Sequence, residues 1–364
     1  MPDKIQIDPG PLSEEEVHKL TPLVGDLARR HPGLLGLRLI GSAIDPEEAL
    51  PCGDLDVSWY GHIDATSGDE RVIHGAALFE YDGLLIDLAR YQWSDFNKIE
   101  STCLPAAVAT RWAHPIWERE PVFSRARQNL RPLLLDRDWL KRGVDLELRG
   151  IRGHLDRWRN PAARPAIGGN FDLMRAWGGW LFLPFLAAVN FCLPSGSRRG
   201  LGELRRVSER LGLPWIWREL YSIMGADRPD RTQLLDWSQR VSRLFSRAQA
   251  QEMNEHLPRT KLLLRRRYYV EGIQALLARG QEAEATRPLW LAAHGLHELF
   301  GATPDAAEAE ALVLEVRGTL GITSHGDDVV LPRLERLSGI VSHLERHREH
   351  LIESMHREAL KHCT

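Results

Sequence analysis

Three carboxylates and a Gly-Ser pair are the residues whose types and spacing could do chemistry. Asp54 and Asp56 flank Leu55 in Asp54-Leu55-Asp56-Val57, and Asp87 sits between Ile86 and Leu88. Side chains alternate along a strand, so Asp54 and Asp56 would project from one face while Leu55 and Val57 project from the other. Two desolvated carboxylates on one strand face, with no Lys or Arg beside them in the chain, repel each other by several kcal/mol. A divalent cation removes that cost, and hard carboxylate oxygens suit Mg²⁺ or Mn²⁺. Eleven residues separate Asp54 from Gly41-Ser42, which ends the apolar run Leu39-Ile40. A glycine there lets backbone approach a phosphate, and the serine offers a hydroxyl and an amide as donors. A helical turn over 43–48 would add the amides of a helix N-terminus.

Positioning these groups requires strands. Ser13 with Glu16 forms a capping box and opens a helix to about Arg30, closed by His31-Pro32-Gly33. Leu35–Ile40 and Asp54–Tyr60 are short apolar strand candidates. Val72–Glu80 and Leu84–Tyr91 are joined by Tyr81-Asp82-Gly83, and Asp-Gly between apolar runs is a strong hairpin signal. That hairpin returns Asp87 toward the sheet, where it would add a third carboxylate to the same face. From about Asp136 the pattern turns helical. The expected helices are Asp138–Arg159, Asn170–Phe191, Leu201–Leu211, Trp215–Met224, Arg231–Asn254, Lys261–Ala278, Ala285–Phe300, Pro304–Leu320 and Leu331–His362, separated by Pro and Gly breakers. The expected fold is therefore α+β, a mixed twisted sheet with helices over residues 1–135 followed by an all-helical domain over 136–364.

A chain of 364 residues fits two domains, and its 43% apolar and 27% charged residues place it among globular proteins. No apolar run reaches membrane-span length, the N-terminus shows no apolar signal region, and the four cysteines form no CxxC pair. These features point to a cytoplasmic protein with reduced thiols. The net charge of −3 conceals a split: residues 1–100 hold 19 Asp+Glu against 8 Lys+Arg (−11), and residues 131–270 hold 14 against 26 (+12). One explanation is two modules sharing a polyanionic ligand through metal and arginine; the other is a chance asymmetry of solvated faces.

Gly41-Ser42, Asp54-Leu55-Asp56 and Asp87, in that order and between apolar flanks, resemble the signature of the DNA polymerase beta superfamily of nucleotidyltransferases, over about residues 14–130. The resemblance implies that Asp54 and Asp56 hold two metal ions, that Asp87 binds the catalytic one, and that Asp87 can accept the proton of the attacking hydroxyl. It also implies that Ala107–Ala113 and Glu120–Arg125 are the helix and short strand that often follow. The implied reaction is in-line attack of a hydroxyl on the α-phosphorus of a nucleoside triphosphate, releasing pyrophosphate.

The helical part is similar to that of antibiotic nucleotidyltransferases of the streptomycin type. That similarity assigns Arg198 or Arg199, in the loop from Pro194 to Gly200, to the triphosphate as a bidentate donor. An exposed basic loop is the plain alternative. The reading that combines these features is transfer of a nucleoside monophosphate, AMP from ATP, to a hydroxyl of a small polar acceptor such as an aminoglycoside. Transfer onto RNA or a protein side chain, and a non-catalytic nucleotide sensor, are the competitors. Trp112, Trp117, Trp177 and Trp180 are read as core before stacking platforms. Arg265-Arg266-Arg267 is read as solvated or paired, and His343 with His347 as part of a solvated C-terminal helix before a metal site.

Overall fold

The computed structural model describes residues 8, 10–40, 55–62, 76–92, 103–163, 181–192, 200–251, 262–301, 303, 305–322 and 326–363. The fold is mixed α+β, with a five-stranded sheet and many helices. The chain divides into two compact units. One comprises Met1–Leu133 together with Glu255–Tyr268; the other comprises Leu134–Asn254 and Tyr269–Thr364. The return of Glu255–Tyr268 to the first unit has no counterpart in the sequence reading.

In the first unit, helix α1 (Glu14–Arg30) begins at the expected capping box. Ser13 Oγ accepts from the Glu16 amide at 3.2 Å, and Glu16 Oε2 accepts from the Ser13 amide at 2.8 Å. Leu20, Leu23, Val24 and Leu27 recur at helical spacing and form its buried stripe. The strands are β1 (Leu34–Ile40), β2 (Leu55–Gly61), β3 (Ala76–Tyr81), β4 (Leu84–Gln92) and β5 (His114–Glu118), in the order β3-β4-β2-β1-β5. β2 and β4 run parallel; the other pairs are antiparallel. Tyr81 pairs with Leu84, so the hairpin loop is Asp82-Gly83, and both residues have positive φ, +48° and +76°. A two-residue turn of this kind matches the right-handed twist of the strands it joins.

Strand alternation gives the sheet two faces. Leu37, Leu39, Leu55, Val57, Trp59, Ile86 and Leu88 belong to one core with the α1 stripe. The opposite face carries a smaller cluster in which Tyr60 packs with Val122, Phe123 and Ala126. Those three come from α3 (Val122–Leu135), which follows α2 (Leu104–Trp112) and β5. Close approach explains Gly36 on this face, since a Cβ there would lie 2.7 Å from the Phe123 ring. Helix α2 falls where a helix was expected, but Glu120–Arg125 is not a strand. The strand is His114–Glu118, held to β1, and Val122–Arg125 starts α3. Glu118 fixes that start, accepting from the Phe123 amide at 2.5 Å and from the Ser124 hydroxyl at 3.0 Å.

The second unit is helical: α4 (Arg137–Arg159), α5 (Leu183–Val189), α6 (Gly200–Arg210), α7 (Pro214–Met224), α8 (Arg231–Ala250), α9 (Arg266–Ala278, whose first turn belongs to the first unit), α10 (Glu282–Phe300), α11 (Ala306–Thr319), α12 (Asp327–Arg346) and α13 (Arg348–Cys363). Helix α10 packs against α8 and α11, while α12 and α13 both pack against α4. The last two were expected as one helix over Leu331–His362. They part at His347, where no Pro or Gly stands and the ring Nδ1 lies 2.9 Å from the His343 carbonyl. Lys261–Ala278 was expected as one helix too, but residues 262–265 form turns and the helix begins at Arg266. Among the described residues no helix is long and apolar enough to cross a membrane.

Candidate functional site

β2 and β4 meet in register, and Asp56 lies directly beside Asp87. In-register neighbours on parallel strands point to the same face, and the strands lie about 4.8 Å apart. Both carboxylates are half-buried, while Leu55, Val57, Ile86 and Leu88 around them are buried on the other face. Asp56 and Asp87 therefore occupy the sheet face away from the α1 core. At about 5 Å and an effective dielectric of 20, two such charges repel by about 3 kcal/mol. The arrangement is unfavourable unless positive charge is supplied.

Arg265 supplies part of it. Arg265 Nη2 lies 2.5 Å from Asp87 Oδ2. Arg38, on β1, projects from the same face and is 6% exposed. It pairs with Ser58 in register while Ile40 pairs with Asp56, so Arg38 stands diagonally from Asp56, about 7–8 Å away between backbones. Its guanidinium donates to Thr110 Oγ1 at 2.9 Å and to the Tyr60 hydroxyl, and lies 4.6 Å from the Tyr60 ring centroid. Thr110 belongs to α2, so Arg38 ties that helix, β1 and β2 together as a buried cation on this face. Neither Arg38 nor the Arg265 contact was expected from the sequence. A charged residue between Leu37 and Leu39 in an apolar strand was the available signal for Arg38.

Ile40 is the last described residue of β1 and pairs with Asp56; Gly41 and Ser42 follow it in the chain and lie outside the described residues. Asp54, which precedes Leu55, and the loop arginines Arg198 and Arg199 also lie outside them, as do Trp177 and Trp180. Among the described residues no group of three or more His, Cys, Asp or Glu converges. Two members of the expected carboxylate set, Asp56 and Asp87, are thus adjacent. Their donor chemistry, two hard carboxylates on one half-buried face, fits Mg²⁺ or Mn²⁺. Trp117 packs at the edge of the α1 core, as a structural aromatic. His343 and His347 stack with ring centroids 4.0 Å apart; burial, then His347 and Arg346, holds His343 below the usual histidine range.

The basic middle of the chain has a use within the second unit. Arg152 meets Glu345 at 2.6 Å, Arg231 meets Glu282 at 2.5 Å and Arg240 meets Glu315 at 2.5 Å. Arg247 pairs with both Glu308 and Asp305, and Arg137 with Glu353. The acids come mainly from residues 271–364, which hold 15 Asp+Glu against 9 Lys+Arg, a balance of −6. Much of the +12 is thereby spent on pairs between helices. The most buried of these acids is Glu284, whose Oε1 lies 2.9 Å from Arg205 Nη1, a charge contact rather than an aligned hydrogen bond. Burial, and then the Glu284 charge, pushes the Tyr221 hydroxyl far above its ordinary range.

No protein-family model matches the sequence, and no curated protein matches it. Among solved structures the chain is similar to a nucleotidyltransferase-like protein from Exiguobacterium sibiricum 255-15, at 10% identity and a TM-score of 0.26, over 84% of this chain and 91% of that one. A likeness this distant bears on neither activity nor substrate.

Proposed function

We propose that this chain is a metal-dependent nucleotidyltransferase that moves a nucleoside monophosphate, AMP from ATP, onto a hydroxyl of a small polar acceptor, an aminoglycoside-like molecule. The observation that carries the reading is the register of Asp56 beside Asp87 on one sheet face. Asp54, two residues before Asp56 in the chain, completes the carboxylate set, and the three would hold Mg²⁺ or Mn²⁺. The metal supplies electrostatic stabilisation of the attacking and leaving oxygens when bound. Gly41-Ser42 binds the triphosphate through backbone amides and the Ser42 hydroxyl, and Arg198 or Arg199 adds a guanidinium to it. Asp87 accepts the proton of the acceptor hydroxyl as its oxygen bonds to the α-phosphorus. The bond from that phosphorus to the bridging oxygen breaks, and pyrophosphate leaves with the electron pair. Arg38 is a positioning residue, tying β1 to β2 and to α2 through the Tyr60 hydroxyl and Thr110.

The test is incubation of the protein with each labelled nucleoside triphosphate, Mg²⁺ and pools of aminoglycosides, RNA and proteins, followed by mass spectrometry. The expected product is an aminoglycoside heavier by one nucleoside monophosphate, with pyrophosphate formed in equal amount. Label on RNA or protein alone would replace the acceptor and keep the chemistry. Absence of pyrophosphate release with every triphosphate would overturn the reading.

A further inference from the structure

Arg265 reaches Asp87 across 178 residues of chain, as part of the segment Glu255–Tyr268 that belongs to the first unit. Its position is built. Leu262 and Tyr268, on either side of it in sequence, are buried, and the guanidinium lies 5.8 Å from the Tyr268 ring centroid. The paired side chains are 20% and 29% exposed, so solvent screens this ion pair less than one on the open surface. A guanidinium on Asp87 Oδ2 and a divalent ion on the same carboxylate repel each other, and the lone pair that accepts the arginine N–H cannot also coordinate metal.

We propose that Arg265 and a divalent cation are alternative partners of Asp87, so that Arg265 holds down the affinity of the site for metal alone. The proposal rests on the reading of Asp87 as a metal ligand. Phosphate oxygens match a guanidinium fork in two-point contact. A triphosphate carrying its metal therefore brings Asp87 an ion and Arg265 a replacement anion in one event. Metal alone brings only the first, and Arg265 loses its contact with Asp87. The divalent ion is then held more tightly with the triphosphate than before it.

Mn²⁺ binding to the full-length chain, followed by electron paramagnetic resonance of the free ion without nucleotide, tests this without recourse to activity. Arg265→Gln is expected to bind Mn²⁺ about threefold more tightly than wild type or better, the scale of a partly exposed ion pair. Asp87→Asn is expected to bind more weakly than wild type. A smaller gain in Arg265→Gln, with Asp87→Asn still weakened, overturns the proposal and leaves the metal role of Asp87 standing. Equal binding by Asp87→Asn and wild type overturns both. If Arg265→Gln does not fold, the Nε–H resonance of Arg265 in the wild-type chain reads the same exchange. It is expected to move on adding Mg²⁺ and to stay fixed in Asp87→Asn; a resonance that Mg²⁺ leaves in place overturns the proposal.

Discussion

Carboxylates serve opposite ends in the two units. In the sheet unit, Asp56 and Asp87 are brought side by side, where like charges oppose folding. In the helical unit, Glu282, Glu284, Glu308, Glu315 and Glu345 each face a guanidinium from another helix. The first arrangement sets two like charges beside each other, with Arg265 on Asp87, and the second gives the helices electrostatic partners. One residue type acquires two roles from the company its backbone imposes.

The sharpest way to break this contrast is to remove an acid from each unit. Asp56→Ala is expected to lower turnover by about a thousandfold or more, the scale of losing metal-borne stabilisation, with melting temperature unchanged or slightly raised. Near-normal turnover, or a clear loss of thermal stability, would place Asp56 among the structural acids. Arg205→Met should do the reverse. It leaves Glu284, 4% exposed as a side chain, without its cation, at a cost of about 3 kcal/mol in urea unfolding. Glu284→Gln should cost less, since Arg205 at 37% exposure can turn to water. Equal costs would show that the pair is not governed by which partner stays buried.

A smaller effect tests whether the basic loop stands outside the helical unit's pairing. Arg198→Ala or Arg199→Ala should weaken triphosphate binding about tenfold by calorimetry and leave the melting temperature alone. Affinities within twofold of wild type in both single variants and the double would return the loop to the solvated surface.

The smallest effect concerns Glu315. Burial raises its carboxyl, but the Trp237 hydrogen bond at 2.9 Å and the Arg240 contacts outweigh this and hold it below the usual glutamate range. A carboxyl held lower in the folded than in the unfolded chain adds stability above the unfolded value, and that stability drains away as pH falls through the folded one. Below about pH 4.5, the ordinary glutamate value, wild type should therefore lose melting temperature faster than Glu315→Gln. At neutral pH the two should differ by less than about 1 kcal/mol, because Glu315 is 44% exposed. Identical pH slopes would dismiss the pairing as a source of stability.

The sequence by itself determined what depends on neighbours along the chain. The α1 capping box, the Asp82-Gly83 turn and the alternation that sets Asp56 opposite Leu55 and Val57 all follow from local sterics and hydrogen bonding. So do most helices of the second unit, whose apolar spacing and Pro or Gly ends are written in short windows. Tertiary structure decided what depends on distant partners. Parallel pairing of β2 with β4 put Asp87 beside Asp56, and no residue within the hairpin specifies that register. The strand after α2 proved to be His114–Glu118 because β1 offered an edge for it to pair with. Arg265 meets Asp87 only because chain far downstream returns to the sheet unit. Charge pairing is likewise tertiary: arginines of the basic middle are matched by acids many residues away, which only the folded chain brings within reach.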